Sequence, residues 1–262
     1  VIGSLSWVAR QARPDLLYRV SKLQQEVKGA TIATLKSANK CVDIAKDDID
    51  VSLRFASGVF PVSEWAILTV TDASFGNEEG HKSQGARCHF LIPASQAKDP
   101  QCCTYTVRPI AFASNTIKRV CRATLQAETN ALQAGMEAGD KLRGLVAEMR
   151  GDLKSRHNWY EISRKTVPHL ILSDCRSLTQ HVNAEVPARC SDKRLQIEMS
   201  AIRQSSYDEG ERTWDKWPEG GDCVEWVATA TMIADCLTKP MKSDFLRRVL
   251  SECEYTVEKQ QK

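Results

Sequence analysis

Apolar positions along the chain recur at two different periods, and the change between them divides it near residue 60. Up to that point they fall three or four residues apart, as on helical faces. Leu5 to Ala9 form a first helix. Arg13-Pro14-Asp15 then places a proline at a helical first turn, followed by Leu16, Val20 and Leu23. A further helix over Ile32 to Ala45 carries the stripe Leu35, Ala38, Val42 and Ala45. Asp47, Asp48 and Asp50 mark a loop, and the breaker cluster Ser57-Gly-Val-Phe-Pro61 is the best linker candidate.

Beyond it the pattern changes to strands. Trp65 to Val70, Arg87 to Pro93 and Thr104 to Ala113 are β-rich runs separated by Gly- and Pro-containing turns, which predict an antiparallel meander. A long helix opens at Glu128, with Ala131, Gly135, Ala138, Leu142, Leu145 and Met149 on its inward face. Glu128 falls on that face too, where a surface Glu is not expected. Strand and helix then alternate. Leu170 to Ser173 delivers Asp174, helices follow over Arg176 to Asn183 and Ser191 to Ser205, Cys223 to Ala228 is a strand, and Thr231 to Leu237 is a helical turn carrying Asp235. This order predicts an α/β protein with a mixed sheet and flanking helices, its functional residues gathered where strands end.

Composition adds limits. With 42% apolar and 26% charged residues the 262-residue chain can bury a real core. No apolar run reaches the ~20 residues that cross a bilayer, and no signal-peptide pattern opens the chain. It begins at Val1 without an initiator Met, as a fragment of something longer would. The ten cysteines form no Cys-x-x-Cys pair and have no His at zinc-finger spacing, which predicts reduced thiols in an intracellular, cytoplasmic or nuclear protein. Residues 1–60 hold nine Lys/Arg against six Asp/Glu, so they carry the whole net charge of +3. Between residues 100 and 127 stand Arg108, Lys118, Arg119 and Arg122 with no acid, a stretch suited to a polyanion backbone or to an ordinary solvated loop.

Four acids stand out against this background: Asp72, Glu128, Asp174 and Asp235. If the fold brings them together, adjacent like charges resist ionising unless cations are present. Hard cations such as Mg²⁺ take oxygen ligands, and a pair of them serves phosphodiester hydrolysis. Singly, an Asp at a strand end is more often a cap or turn former.

The flanking residues carry a resemblance. Arg108-Pro-Ile-Ala-Phe-Ala-Ser-Asn-Thr-Ile-Lys-Arg-Val-Cys-Arg-Ala-Thr-Leu-Gln-Ala-Glu-Thr-Asn-Ala-Leu132 resembles the stretch around the catalytic Glu in ribonuclease H domains of copia-type retrotransposon Pol polyproteins. Thr229-Ala-Thr-Met-Ile-Ala-Asp-Cys-Leu-Thr-Lys-Pro-Met241 is similar to their C-terminal signature, and Val70-Thr-Asp-Ala-Ser74 and Leu172-Ser-Asp-Cys-Arg-Ser-Leu178 resemble two further acidic motifs. Ile2 to Leu23 resembles the end of the reverse transcriptase that precedes ribonuclease H in these polyproteins.

The resemblance implies a ribonuclease H-like mixed five-stranded sheet over residues 61–262, preceded by a small helical segment, residues 1–60, left from a reverse transcriptase. It implies endonucleolytic hydrolysis of the RNA strand of RNA–DNA hybrids, with two Mg²⁺ ions (or Mn²⁺) held by Asp72, Glu128, Asp174 and Asp235. Ser74, Arg108, Lys118, Arg119, Arg122, Lys193 and Lys239 are its expected nucleic-acid contacts. The expected partners are the hybrid and an upstream reverse transcriptase domain, with no membrane. Thr129, Cys175, Arg194, Asn115 and Thr116 depart from the family's usual Tyr, Asn, His and paired lysines, which bears on substrate affinity more than on metal chemistry. Asp47-Asp48 reads as surface charge, so polymerase activity is not expected. A degenerate remnant that folds or binds nucleic acid without cutting it remains the alternative.

Overall fold

The computed structural model describes residues 1–56, 60–184, 186, 189–206 and 222–259, the side chain of Arg156 excepted. Most of the expected linker, residues 57–59, therefore lies outside the described residues. Three helices come first: α1 (Ile2–Gln11), α2 (Leu17–Glu26) after a 3₁₀ turn at Pro14–Leu16, and α3 (Ile32–Asp47). Thr31 caps α3 by accepting the Thr34 N–H, while the Thr34 side chain accepts the N–H of Thr31. That cap turns Thr34, Ala38 and Cys41 inward and leaves Leu35, expected on the buried stripe, largely exposed.

Strands β1 (Trp65–Glu78) and β2 (Lys82–Pro93) make a long hairpin. Helix α4 (Ala94–Lys98) and strand β3 (Thr104–Thr106) lead into β4 (Arg108–Thr116) and the long helix α5 (Thr124–Arg150). Then come α6 (Trp159–Thr166), β5 (His169–Ser173), α7 (Arg176–Asn183), α8 (Lys193–Ser206), β6 (Asp222–Trp226), α9 (Asp244–Glu252) and β7 (Glu254–Thr256). The main sheet has the order β4-β2-β1-β5-β6, antiparallel between β4, β2 and β1 and parallel between β1, β5 and β6. This is the mixed five-stranded α/β sheet that the sequence predicts. The run from Thr104 to Ala113 is not one strand, however. Val107 donates its N–H to Cys253, so β3 pairs with β7 in a separate two-stranded sheet and only β4 joins the main one.

Central strand β1 is buried on both faces, and alternation sorts its side chains. Ala66, Leu68 and Val70 join Leu170 and Leu172 in a cluster completed by Leu5, Leu16, Val20 and Leu23 from the first helices and by Leu246 and Val249 from α9. The hydrophobic core thus runs across the expected boundary at residue 60. Asp15 reinforces it, pairing with Arg13 at 2.9 Å and with Arg247 of α9 at 2.8 Å. Asp48, expected as surface charge, also binds Arg247, at 2.7 Å, while Asp47 is exposed.

The other face of β1 receives α5. Ile67 packs with Val146 and Ala147, and Gly135 lies directly over Thr69 and Thr71. The inward stripe of α5 departs from the predicted one after Gly135, running through Gly139, Arg143 and Val146 while Leu145 and Met149 are exposed. An ion pair sets that phase: buried Arg143 reaches Asp222 of β6 at 3.0 Å, and Gly139 supplies the space for the His169 ring.

Candidate metal and nucleic-acid site

Parallel pairing of β1 with β5 runs through Val70↔Leu172, which carries Asp72 and Asp174 two residues further to one end of the sheet and one face. β5 stops at Ser173, whereas β1 continues to Glu78. Asp72 therefore lies inside its strand and not at its end as expected; it is the neighbouring strand that ends. Into that position Met232, Ile233, Ala234 and Leu237, all buried, anchor the 3₁₀ turn Asp235–Leu237. One carboxylate oxygen from each of Asp72, Asp174 and Asp235 lies within 4.8 Å of the others. The Asp174 side chain also takes a hydrogen bond from Thr229.

Glu128 comes from the opposite face, in the second turn of α5. It stands outside the three-residue group, accepts the Ala73 backbone N–H, and is only 5% exposed with Oε2 left without a hydrogen-bond partner. Burial foremost, then the charges of Asp72 and Asp174, push its carboxyl up to about 9. Burial likewise pushes Asp72 up to about 7, against the opposing pull of the Lys239 ammonium and the Thr238 hydroxyl. Asp174 is raised for the same first reason. Three converging carboxylates, a fourth with an orphaned buried oxygen, and no sulfur or nitrogen donor among them fit a hard divalent cation such as Mg²⁺.

A second group, Asp140, His169 and Asp222, is equally compact. Its acceptors are already taken: Asp222 receives His169 Nδ1–H at 2.7 Å, Arg143 at 3.0 Å and Arg164 at 3.2 Å. The Arg143 and Arg164 guanidiniums and the hydrogen bond from His169 hold Asp222 well below the usual carboxylate range despite complete burial. It is an ion-pair network joining α5, α6, β5 and β6.

This chain is distantly similar to Ty1 Gag-Pol polyproteins. It is 20% identical over 241 residues to the truncated transposon Ty1-A Gag-Pol polyprotein of Saccharomyces cerevisiae, covering 92% of this chain and 17% of that one. Against the transposon Ty1-NL2 Gag-Pol polyprotein of the same yeast the identity is 21%, with 12% of that polyprotein covered. The chain thus spans under a fifth of these relatives' length. The solved structure of LC11-RNase H1, isolated from compost, aligns with 69% of this chain and 98% of its own at a TM-score of 0.39 and 12% identity. No family model matches the chain.

The expected nucleic-acid contacts separate into three groups. Ser74 and Lys239 lie at the carboxylates. Ser74 follows Asp72 on the same face of β1 and is buried, its Oγ without a partner. Lys239 bonds Asp235 Oδ1 and lies 4.0 Å from Asp72 Oδ2. Exposed Lys118, Arg119, Arg122 and Lys193 border the ends of β4, α5 and α8, and Arg119 pairs with Glu198. Lys118 and Arg119 line a 370 Å³ groove with Arg87, Asn115, Thr116 and Asn130, so the two positions that depart from paired lysines face the same groove. Arg108 is not brought to the site. It pairs with Leu91, five residues along β2 from Asp72's partner Ala86, about 17 Å away at ~3.3 Å per residue. Its guanidinium lies 4.4 Å from the Phe60 ring centroid.

Thr238 is the site residue that the sequence pattern alone left out. Fully buried, it donates its hydroxyl to Asp72 Oδ2 and fixes that carboxylate's orientation. The signal was present as its spacing: three residues after Asp235 in a helical turn places it on the same side.

Proposed function

We propose that this chain is a metal-dependent nuclease that cuts the RNA strand of RNA–DNA hybrids. The observation that carries the reading is the convergence of Asp72, Asp174 and Asp235 from three separate elements beside the orphaned Glu128 Oε2. The distant similarity to Ty1 Gag-Pol polyproteins supports it, as does the copia-type resemblance of the motifs. On the same resemblance, residues 1–60 are the end of a reverse transcriptase domain of one polyprotein.

In this reading Asp72, Glu128, Asp174 and Asp235 would hold two Mg²⁺ ions, which would supply activation of water and stabilisation of the leaving 3′-oxygen. The protein's own contribution is placement. Thr238 orients Asp72 and the Ala73 N–H orients Glu128. Met232 to Leu237 anchor Asp235 from the sheet's other face. Lys118 and Arg119 along the groove, with exposed Arg122 and Lys193 outside it, offer phosphate contacts, each of which steepens the salt dependence of binding.

The test is a labelled RNA–DNA duplex incubated with the full chain. RNA-strand cleavage is expected with Mg²⁺ or Mn²⁺, and is lost with a chelator and in Asp174→Asn. A parent chain that binds the duplex yet leaves it intact with either metal overturns the nuclease reading in favour of a binding-only remnant.

A further inference from the structure

Lys239 occupies an unusual place for a residue expected to touch substrate. Its ammonium binds Asp235 Oδ1 and stands 4.0 Å from Asp72 Oδ2, inside the cluster in which one oxygen of each carboxylate lies within 4.8 Å of the others. The side chain is 37% exposed, whereas those of Asp72 and Asp235 are 2% and 12% exposed, so its head enters from the solvent side of an otherwise buried group.

The backbone enforces this position. Thr238 and Lys239 both donate their N–H groups to the Asp235 carbonyl, at 3.0 and 3.1 Å, and Met241 donates to the Lys239 carbonyl at 2.9 Å. One short turn therefore carries a carboxylate, the hydroxyl that orients a second carboxylate, and a cation lying between them. A like-charge cluster with so little water around it is costly without a positive charge, and a flexible four-carbon stem can supply one and withdraw it.

We propose that Lys239 is the site's own counter-cation: it neutralises the carboxylates while no metal is bound, and must swing outward to admit a divalent cation. The inference rests on the metal-site reading above. It assigns Lys239 a positioning role toward the metal, distinct from a phosphate contact. The ammonium and a metal would compete, because the ammonium already holds the Asp235 carboxylate and lies 4.0 Å from Asp72 Oδ2, where a cation bound by these carboxylates would be drawn. The ammonium therefore sets how tightly the site takes metal, and it holds the metal-free fold together.

Lys239→Met keeps the unbranched stem and removes the charge, and Lys239→Arg keeps a charge. Both are compared with the full parent chain by Mg²⁺ titration calorimetry and by melting temperature with and without Mg²⁺, in the absence of nucleic acid. Lys239→Met should bind Mg²⁺ about three- to tenfold more tightly, because removing a cation ~4 Å from the ligands relieves direct repulsion even after solvent screening. Its metal-free form should melt a few degrees lower, and its Mg²⁺-induced shift should be larger than the parent's. Lys239→Arg should stay near the parent on both readings. A parent that binds Mg²⁺ with a Lys239→Met variant that binds it no more tightly overturns this inference alone. A parent that takes up neither Mg²⁺ nor Mn²⁺ removes the metal-site reading and this one with it.

Discussion

His89 is the residue whose surroundings make the clearest demand on pH. The buried chain Asp222, His169, Thr69, His89 is linked at 2.7, 2.7 and 2.9 Å. One set of donors satisfies it: His169 donates to Asp222 and accepts the Thr69 hydroxyl, whose oxygen accepts His89 Nδ1–H. His89 Nε2 is left buried without a partner, and a second proton there would be an unpaired charge. Burial foremost drives its pKa down to about 3 from 6.5. The unfolded chain thus takes up this proton below 6.5 and the folded chain does not, so the stability tied to His89 is present above 6.5 and is lost as pH falls from there towards 3. Between 6.5 and about 5 that loss amounts to about 2 kcal/mol. The raised Asp72 and Glu128 act with the opposite sign, so a comparison isolates the histidine. His89→Gln, which keeps a donor for Thr69 but does not titrate, should show a flatter fall of melting temperature than the parent between about pH 7 and 5. Parallel slopes would place the sensitivity elsewhere. Nothing in the sequence joined His89 to His169 through Thr69. Their hydrogen bonds cross three strands.

Among the elements, α5 unites the ion-pair network and the carboxylates, and it depends on how closely it approaches the sheet. A Cβ built at Gly139 would stand 2.2 Å from His169 Cε1, and that ring cannot yield while both its nitrogens are bonded. Gly139→Ala gains about 1 kcal/mol in helix propensity and loses roughly 1–3 kcal/mol to overpacking. The expected result is a net drop in melting temperature, together with weaker Mg²⁺ stabilisation as α5 lifts and Glu128 moves with it. A variant as stable as the parent would mean that the helix shifts freely. The predicted stripe followed the apolar residues Leu142, Leu145 and Met149, since periodicity reads hydrophobicity. The actual contact face holds Gly139 and Arg143, one without a side chain and one charged, and both are inward only because His169 and Asp222 lie opposite.

Over the whole molecule, the first three helices are structural partners of the sheet. Leu16, Leu17 and Val20 are almost fully buried in the cluster that holds Leu68 and Leu172. Ser21 accepts a bond from the Gln84 amide, which also donates to Ser114, whose hydroxyl reaches the Leu237 carbonyl in the Asp235 turn. Each buried Leu or Val contributes roughly 1.5–3 kcal/mol, so deleting residues 1–56 should exceed the stability of a typical domain. The truncated chain is expected to lose cooperative melting and near-ultraviolet circular dichroism, and cooperative unfolding of it would show a core that closes without them. The α/β class with its mixed sheet, the helix at Arg176–Asn183 and most of the α3 helix, expected over Ile32 to Ala45, were legible in the sequence from periodicity, and acidic motifs singled out Asp72, Glu128, Asp174 and Asp235 as candidates, because both are local signals. Tertiary structure alone decided that Asp72 sits beside the end of another strand, that Lys239 faces carboxylates, that Arg108 stands at the far end of β4, and that the core crosses residue 60. Each of these depends on what lies opposite a residue after folding, and local patterning carries no information about that.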